Sequence, residues 1–451
     1  MATPIAVAGA GIAGLCTALL LARQGYDVEL IDRDTPAPDD LAEIQEWSRP
    51  GTPQAQHPHV YLGLFRKLLR ENLPDVHGDL LANGIEELPF NGGLPEAEQD
   101  LVMMAARRTT LEWALHRALR KEHQVRYRPG VTIRDVEVAD GRVRGLRTSE
   151  GVEEYSLVID ATGARSKLAA HFRRIEAEAE CGKVYNTRFY RLREGVVQPP
   201  LRHGSVTVVD GLGYGAALFC HDLGIFSIDI GRLPEDETLK GLRDPDAFER
   251  VVALLEPFRP WVGPEHCTPI SEVVPMAGLR NVLYTLSDDA PAGYFPVGDT
   301  VCVTDPTFGR GMALGLAQAV QLVHTLTEAT GDRASLNLHT TAAAVDLCRP
   351  WYDDVVVQDR ARTSLWRAAV AGERWQDLLP GMPPNPFLMI DAEALDPELG
   401  LIGRRYVSML SGTLDDEDVH RRIAALPASP AADQAAAHAP TYPDVVAALR
   451  S

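Results

Sequence analysis

Ile5-Ala6-Val7-Ala8-Gly9-Ala10-Gly11-Ile12-Ala13-Gly14 stands a few residues after Met1 and decides how the chain begins to fold. Ile5 to Ala8 is a short apolar run of strand type, Gly9 to Gly14 a glycine turn, and Leu15 to Gln24 an apolar helical stretch closed by Gly25. Strand, turn and helix in that order make a dinucleotide fingerprint, Gly-x-Gly-x-x-Gly. Gly9 serves the tight turn, Gly11 lets the backbone approach a pyrophosphate, and Gly14 lets helix and strand pack closely. The phosphates then sit on the helix N-terminus around Ile12 and Ala13, where free N–H groups and the helix dipole favour negative charge. A second strand, Tyr26 to Ile31, ends at Asp32, where an acid can hold a ribose 2′-hydroxyl; this favours FAD or NAD over NADP. The alternative reading is a glycine-rich turn with no ligand.

The far part of the chain carries Gly298-Asp299-Thr300 and then Asp305-Pro306-Thr307-Phe308-Gly309-Arg310-Gly311-Met312, running into a second apolar helix. Paired with the first fingerprint, this is what a chain needs to hold both the pyrophosphate and the isoalloxazine of FAD. Gly309 and Gly311 let a turn approach the flavin edge, and the helix from Met312 points a positive dipole at it. An ordinary loop-helix junction, glycine-rich only for packing, is the competing interpretation.

The remaining composition fits a large enzyme. With 451 residues the chain has length for more than one packed unit. Its 63 acidic against 44 basic residues leave no electrostatic footprint for nucleic acid. Cys16, Cys181, Cys220, Cys267, Cys302 and Cys348 are scattered, with neither a disulfide frame nor a metal-ligand cluster, which fits a reducing cytoplasm. The apolar run Ile12 to Ala22 lacks a basic leader and is too short to span a bilayer. After the second strand, the polar stretch Trp47 to His59 is a loop feeding a helix from Val60 to Leu69. In it Arg49 can reach a phosphate, and His57 and His59 are candidates to face a reacting group, although loop histidines usually do nothing chemical.

Farther on stand Arg108-Thr109-Thr110-Leu111-Glu112, opening a helix, the strand Val131-Thr132-Ile133, and Leu157-Val158-Ile159-Asp160-Ala161-Thr162-Gly163-Ala164-Arg165-Ser166. With these motifs in this order, residues 4 to 330 resemble the class A FAD-dependent monooxygenases, the 4-hydroxybenzoate hydroxylase fold. In motif form they are closest to bacterial tailoring oxygenases and epoxidases. The resemblance implies an α/β fold: a Rossmann-like FAD-binding domain of the glutathione-reductase type, an inserted β-sheet substrate domain and a C-terminal helical region. It implies that Gly9, Gly11, Gly14, Asp32, Arg33, Arg49, Arg108, Thr132, Ala161, Gly163, Gly298 and Asp299 hold the cofactor. Asp299 would bond the ribityl chain, and Pro306, Gly309, Gly311 and Met312 would line the isoalloxazine edge. It further implies insertion of one oxygen atom from O2 into a small organic molecule, by hydroxylation or epoxidation, through a flavin 4a-hydroperoxide. Electrons would come from NADH or NADPH, directly or through a partner flavin reductase. Halogenases share the fold, but neither their Trp-x-Trp-x-Ile-Pro motif nor their catalytic lysine is evident here. A reductase or dehydrogenase, or a scaffold that has lost turnover, also remains open.

The expected organisation is a discontinuous cofactor domain over residues 1–172 and 287–330, a substrate domain over 173–286, a helical region over 331–425 and a tail over 426–451 that carries one last short helix. Thr187 to Leu192, Ser205 to Val209, Tyr214 to Cys220 and Gly224 to Gly231 read as strands of the substrate domain. Tyr185, Phe189, Tyr214, Phe219 and Phe226 are candidates to line its pocket, alternating aromatics being also ordinary core. His57, His59 and His221 are the candidate general bases, and Pro306 belongs to the reacting edge as well as to the cofactor site.

Overall fold

The computed structural model describes residues 3–90, 98–412, 414, 417–426 and 439–451. Five parallel strands form the first sheet, in the order Tyr294–Pro296, Val158–Asp160, Ile5–Ala8, Val28–Asp32, Val125–Pro129. Strands buried on both faces need no polar alternation, which is why Ile5 to Ala8 and Val158 to Asp160 are buried throughout. The helix Ile12–Arg23 starts directly after Gly11, three residues earlier than its apolar run suggests, and is covered by the helices Arg108–Leu119 and Gly311–Glu328.

Asp160 ties the middle motif together. It is fully buried and accepts hydrogen bonds from Thr162 N–H (2.9 Å) and Oγ1 (2.6 Å), Ser166 Oγ (2.5 Å) and Tyr294 Oη (2.5 Å). Thr162 and Ser166 thus satisfy a carboxylate that burial would otherwise penalise.

The chain leaves and re-enters this layer through one antiparallel sheet, in which Arg173–Glu180 pairs with Arg280–Leu286 and that strand with Cys302–Val303. Between them lies a six-stranded sheet whose main path runs Val206–Asp210, Tyr214–Cys220, Ile225–Arg232, Val184–Leu192, Cys267–Pro269. The helix Pro245–Leu254 and Trp261 bury one face of it. All six cysteines are free and buried. No helix of the described residues is long and apolar enough to cross a membrane.

Two local expectations change, at Val60 to Leu62 and at the end of the chain, and one helix holds an internal proline. Val60 to Leu62 is extended rather than helical, because Tyr61 bridges to Met104; the helix runs Gly63–Asn72. The helix Asn337–Val370 continues through Pro350. The end of the chain is docked: Val445 of the helix Tyr442–Arg450 is fully buried, Arg250 donates to the carbonyls of Ala448 (2.8 Å) and Leu449 (3.2 Å), and Tyr442 Oη donates to Asp236 (2.8 Å). The alanine-rich stretch 427–438 lies outside the described residues.

Truncation after Ala439 should therefore uncover the six-stranded sheet's core and cost about 2 kcal/mol or more. Thermal melting of the truncated chain checks this; an unchanged Tm would mean that the last helix adds nothing.

Candidate functional site

Gly9 and Gly14 are required by packing. Gly9 has φ +99°, and a methyl group there would lie 2.7 Å from the Ala161 carbonyl oxygen. A methyl on Gly14 would overlap the Gly9 carbonyl oxygen. Gly11 differs, because a methyl there would meet only the Arg108 guanidinium, at 3.7 Å. The helix that follows has no side-chain cap and no acid in its first turn, so Ile12 and Ala13 present a positive helix end at this opening. A cofactor pyrophosphate fits such a cradle.

Asp32 holds the turn from the other side, its carboxylate accepting from the N–H groups of Ala10 (2.5 Å) and Asp34 (2.7 Å). Burial raises its pKa against those two bonds. Arg33 is exposed. Arg49 does not reach outward as anticipated. It is buried, with its guanidinium spent on Glu112 (2.7 Å), Asp34 (3.1 Å) and the Ala10 carbonyl (3.3 Å), so it braces the phosphate turn from behind. Glu112 also accepts from Arg108 Nε (2.9 Å), which leaves the far end of Arg108 facing Gly11. Thr132 is exposed and uses its backbone on Ser149, donating to Oγ (3.2 Å) and accepting from the N–H (2.8 Å).

The second motif meets the first at Ala13. Gly298 (φ +72°) donates its N–H to Gln318 Oε1 (2.9 Å), and a methyl on it would lie 2.9 Å from the Ala13 methyl. Asp299 is half-buried; burial raises its pKa and the Arg108 charge opposes the rise. A methyl on Gly311 would lie 3.9 Å from Asp299 Oδ1. Gly311 also begins the helix Gly311–Glu328, again without a side-chain cap or an early acid. Gly11, Arg108, Asp299 and Gly311 thus share one opening bounded by two uncapped helix ends. Pro306 is exposed, Met312 half-buried, and Gly309 left-handed (φ +65°) against Val60. Ala161 closes the floor under Gly9, and Gly163 (φ +88°) leaves open space where a side chain would stand.

Groups absent from the sequence reading fix this second turn. Arg310 is buried, pairing with Asp354 (2.8 Å), donating to Tyr406 Oη (2.6 Å) and lying 4.8 to 5.0 Å from the rings of Phe308, Trp351 and Tyr406. Asp305 accepts from Thr307 N–H (2.9 Å) and Oγ1 (2.7 Å) and from Arg362 (3.1 Å), while its own N–H donates to Asn281 Oδ1 (2.6 Å). Cys181, Asp305 and Asp359 gather ligand-type atoms here, and Arg362 supplies positive charge to both acids. Asp359 is pushed up by burial and by Asp305, and Asp305 is held down with Arg362 beside it. No local motif announces these residues, since their partners lie on distant elements.

One face of the six-stranded sheet is tied to the loop of His57 and His59, the second of which feels the Arg108 charge. His57 Nδ1 lies 3.0 Å from Thr187 Oγ1, with the ring edge-on to Tyr185, and burial pushes its pKa down to about 4. His59 Nδ1–H donates to the His57 carbonyl (3.0 Å); burial, then Arg108, hold it well below the ordinary value. His221 Nε2 lies 2.8 Å from Ser227 Oγ and its ring stacks on Phe189; burial pushes it to about 4. All three imidazoles are neutral near pH 7. Alternation puts Tyr185, Thr187, Phe189, Phe219 and Ser227 on this face. Tyr214 and Phe226 fall on the other one. Tyr214 Oη donates to the Pro440 carbonyl (2.8 Å), and Phe226 stacks on Tyr190 and leans on Trp261, so both belong to the core behind the sheet.

Residues 4–112 match the family model DAO, FAD dependent oxidoreductase. The chain is 25% identical over 352 residues to Protein Rv3254 of Mycobacterium tuberculosis, covering 70% of this chain and 71% of that protein. Among solved structures it is similar to the myxobacterial chondrochloren halogenase CndH (TM-score 0.62, 14% identity, 90% of this chain and 97% of that one). It is similar also to p-nitrophenol 4-monooxygenase PnpA of Pseudomonas putida (TM-score 0.60, 13% identity, 91% and 98%). Identities this low carry the fold alone. The family match over residues 4–112 makes the chain an enzyme, an FAD-dependent oxidoreductase, and the solved structures share its Rossmann-like α/β fold with a C-terminal helical region.

Gly14→Ala should force the first strand and helix apart and weaken FAD retention about tenfold or more, or about 1.4 kcal/mol. The ratio of flavin to protein absorbance after purification checks this. Arg310→Met should strand Asp354 without its buried partner and cost about 3–5 kcal/mol in an unfolding titration.

Proposed function

We propose that the protein is an FAD-dependent monooxygenase that places one oxygen atom of O2 in a small organic molecule, by hydroxylation or epoxidation. NADH or NADPH supplies the electrons, directly or through a partner flavin reductase. The second oxygen atom leaves as water. The observation that carries this reading is the shared opening: two uncapped helix ends, Arg108 and Asp299 on one side, and a sheet face of aromatic rings and neutral imidazoles on the other. Similarity to p-nitrophenol 4-monooxygenase supports it.

FAD, when bound, supplies the redox chemistry and the activation of O2. The chain's own residues do the rest. Ile12, Ala13 and Gly14 offer N–H groups to phosphate, and Asp299 accepts from a sugar-chain hydroxyl. The N-terminus at Gly311 favours negative charge on the ring system nearest it. Phe189, Phe219 and Tyr185 help to keep water from the reacting atoms. With Nδ1–H committed to the His57 carbonyl, His59 keeps Nε2 as a proton acceptor beside Arg108.

Likeness to the chondrochloren halogenase favours halogenation as a second reading. Isotopic oxygen separates the alternatives. The holoprotein, reduced anaerobically with NADH, NADPH or a flavin reductase, is mixed with labelled O2 and a panel of phenols, anilines and alkenes. One labelled atom in product is expected. Product without label would indicate a dehydrogenase, and product only with added halide a halogenase.

A further inference from the structure

The sheet face beside His57 carries a buried carboxylate with one oxygen that the described residues leave without a hydrogen bond. Asp229 pairs across the ladder with Thr187 on one side and Ala217 on the other, which places it on the face of Thr187, Ser227 and Phe219. It is only 6% exposed, and its Oδ1 has no hydrogen-bond partner among the described residues. Its neighbours are answered: Thr187 by His57 and Ser227 by His221. The cation nearest in influence is Lys183, itself buried, whose ammonium donates to Thr307 Oγ1 (3.2 Å) in the turn after Asp305. Lys183 therefore attracts the carboxylate while its ammonium is engaged on the turn that would border the flavin.

We infer that Asp229 selects the substrate, accepting a hydrogen bond from an O–H or N–H group on the molecule held between this sheet face and the Pro306–Phe308 turn. The inference rests on the reading of this face as the substrate wall and sharpens it. A buried acceptor left open costs free energy that only an incoming donor returns. A site so built rejects molecules lacking the donor. It points to hydroxylation of ring compounds bearing hydroxyl or amino groups rather than epoxidation of plain alkenes. Lys183 acts as a positioning residue. Burial, ahead of the opposing Lys183 charge, pushes Asp229 up to about 6, with Asp305 adding to the rise and the Ala217 backbone opposing it, so the carboxylate is mostly ionised at neutral pH.

The test uses the FAD-loaded protein and two pairs of probes, phenol with anisole and aniline with N,N-dimethylaniline, with binding read from the flavin spectrum. The donor member of each pair should bind about tenfold or more tightly. Asp229→Asn, whose amide carbonyl is a weaker acceptor, should bring the members within about twofold. Equal binding in the parent protein, binding of no probe, or undiminished discrimination in the variant overturns the assignment. Labelled oxygen is scored in the same samples. Discrimination without labelled product would sink the monooxygenase reading alone, whereas labelled product without discrimination would sink only the role of Asp229.

A ligand-free measurement covers the case of a poorly folding variant. Because the folded-state pKa of Asp229 is raised, its penalty is absent below about pH 4 and complete above about pH 6. Lys183, Asp305, Tyr185, and His57 and His221 through their hydroxyl partners, are the other titratable groups around it. Asp229→Asn should therefore raise Tm by about 2 °C or more near pH 8 and leave it level near pH 4. A lower Tm near pH 8, or failure of the variant to fold, would show a carboxylate satisfied within the fold and overturn the inference.

Discussion

Everything at the site depends on one close approach, that of Gly298 to Ala13. A methyl group on Gly298 would stand 2.9 Å from the Ala13 methyl, and Gly298 has a left-handed backbone that disfavours any side chain. Only a glycine at this point lets the starts of two helices, at Ile12 and Gly311, lie side by side. Their dipoles then add at one place rather than at two. Gln318 locks the approach by accepting the Gly298 N–H, and Cys348, on the long helix, in turn accepts from Gln318 Nε2 (3.3 Å).

Charge is spent sparingly around that point. Of the arginines near the phosphate turn, Arg49 is neutralised by Asp34 and Glu112, while Arg108 has only a shared claim on Glu112. Arg107 is committed to Asp222, bidentate and with the Thr110 hydroxyl on the same carboxylate. The net charge of −19 therefore says little about the site, where one partly committed cation faces an opening that two helix ends already make positive.

Legibility in the sequence followed the range of the interaction. The glycine turn, the strand after it and Gly298-Asp299 were readable because each meets a local backbone requirement. Four strands of the six-stranded sheet were readable from alternation, yet which face Tyr214 and Phe226 occupy was not: both faces carry aromatics, and only the packing of the helix Pro245–Leu254 and Trp261 decides which is core. Arg49 misled because an arginine near a phosphate turn has the same composition whether it faces the ligand or braces the loop. Arg310, Lys183 and Asp229 gave no signal at all, since their significance lies in partners on other elements.

The C-terminal helices are more than a cover for the first layer. The turn after Asp305 is held from four directions: Lys183 from just before the strand Val184–Leu192, Asn281 from the three-stranded sheet, Arg362 from the long helix, and Tyr406 through Arg310 from the helix Pro397–Val407. A short, glycine-flanked turn has little stability of its own, so its shape is imposed by these contacts. The layer that would hold the cofactor and the sheet that would hold the substrate consequently share the turn through Lys183 and Thr307. A charge change on either side of that bond acts on the same backbone, which gives substrate recognition and cofactor geometry a common physical element without any larger movement of the fold.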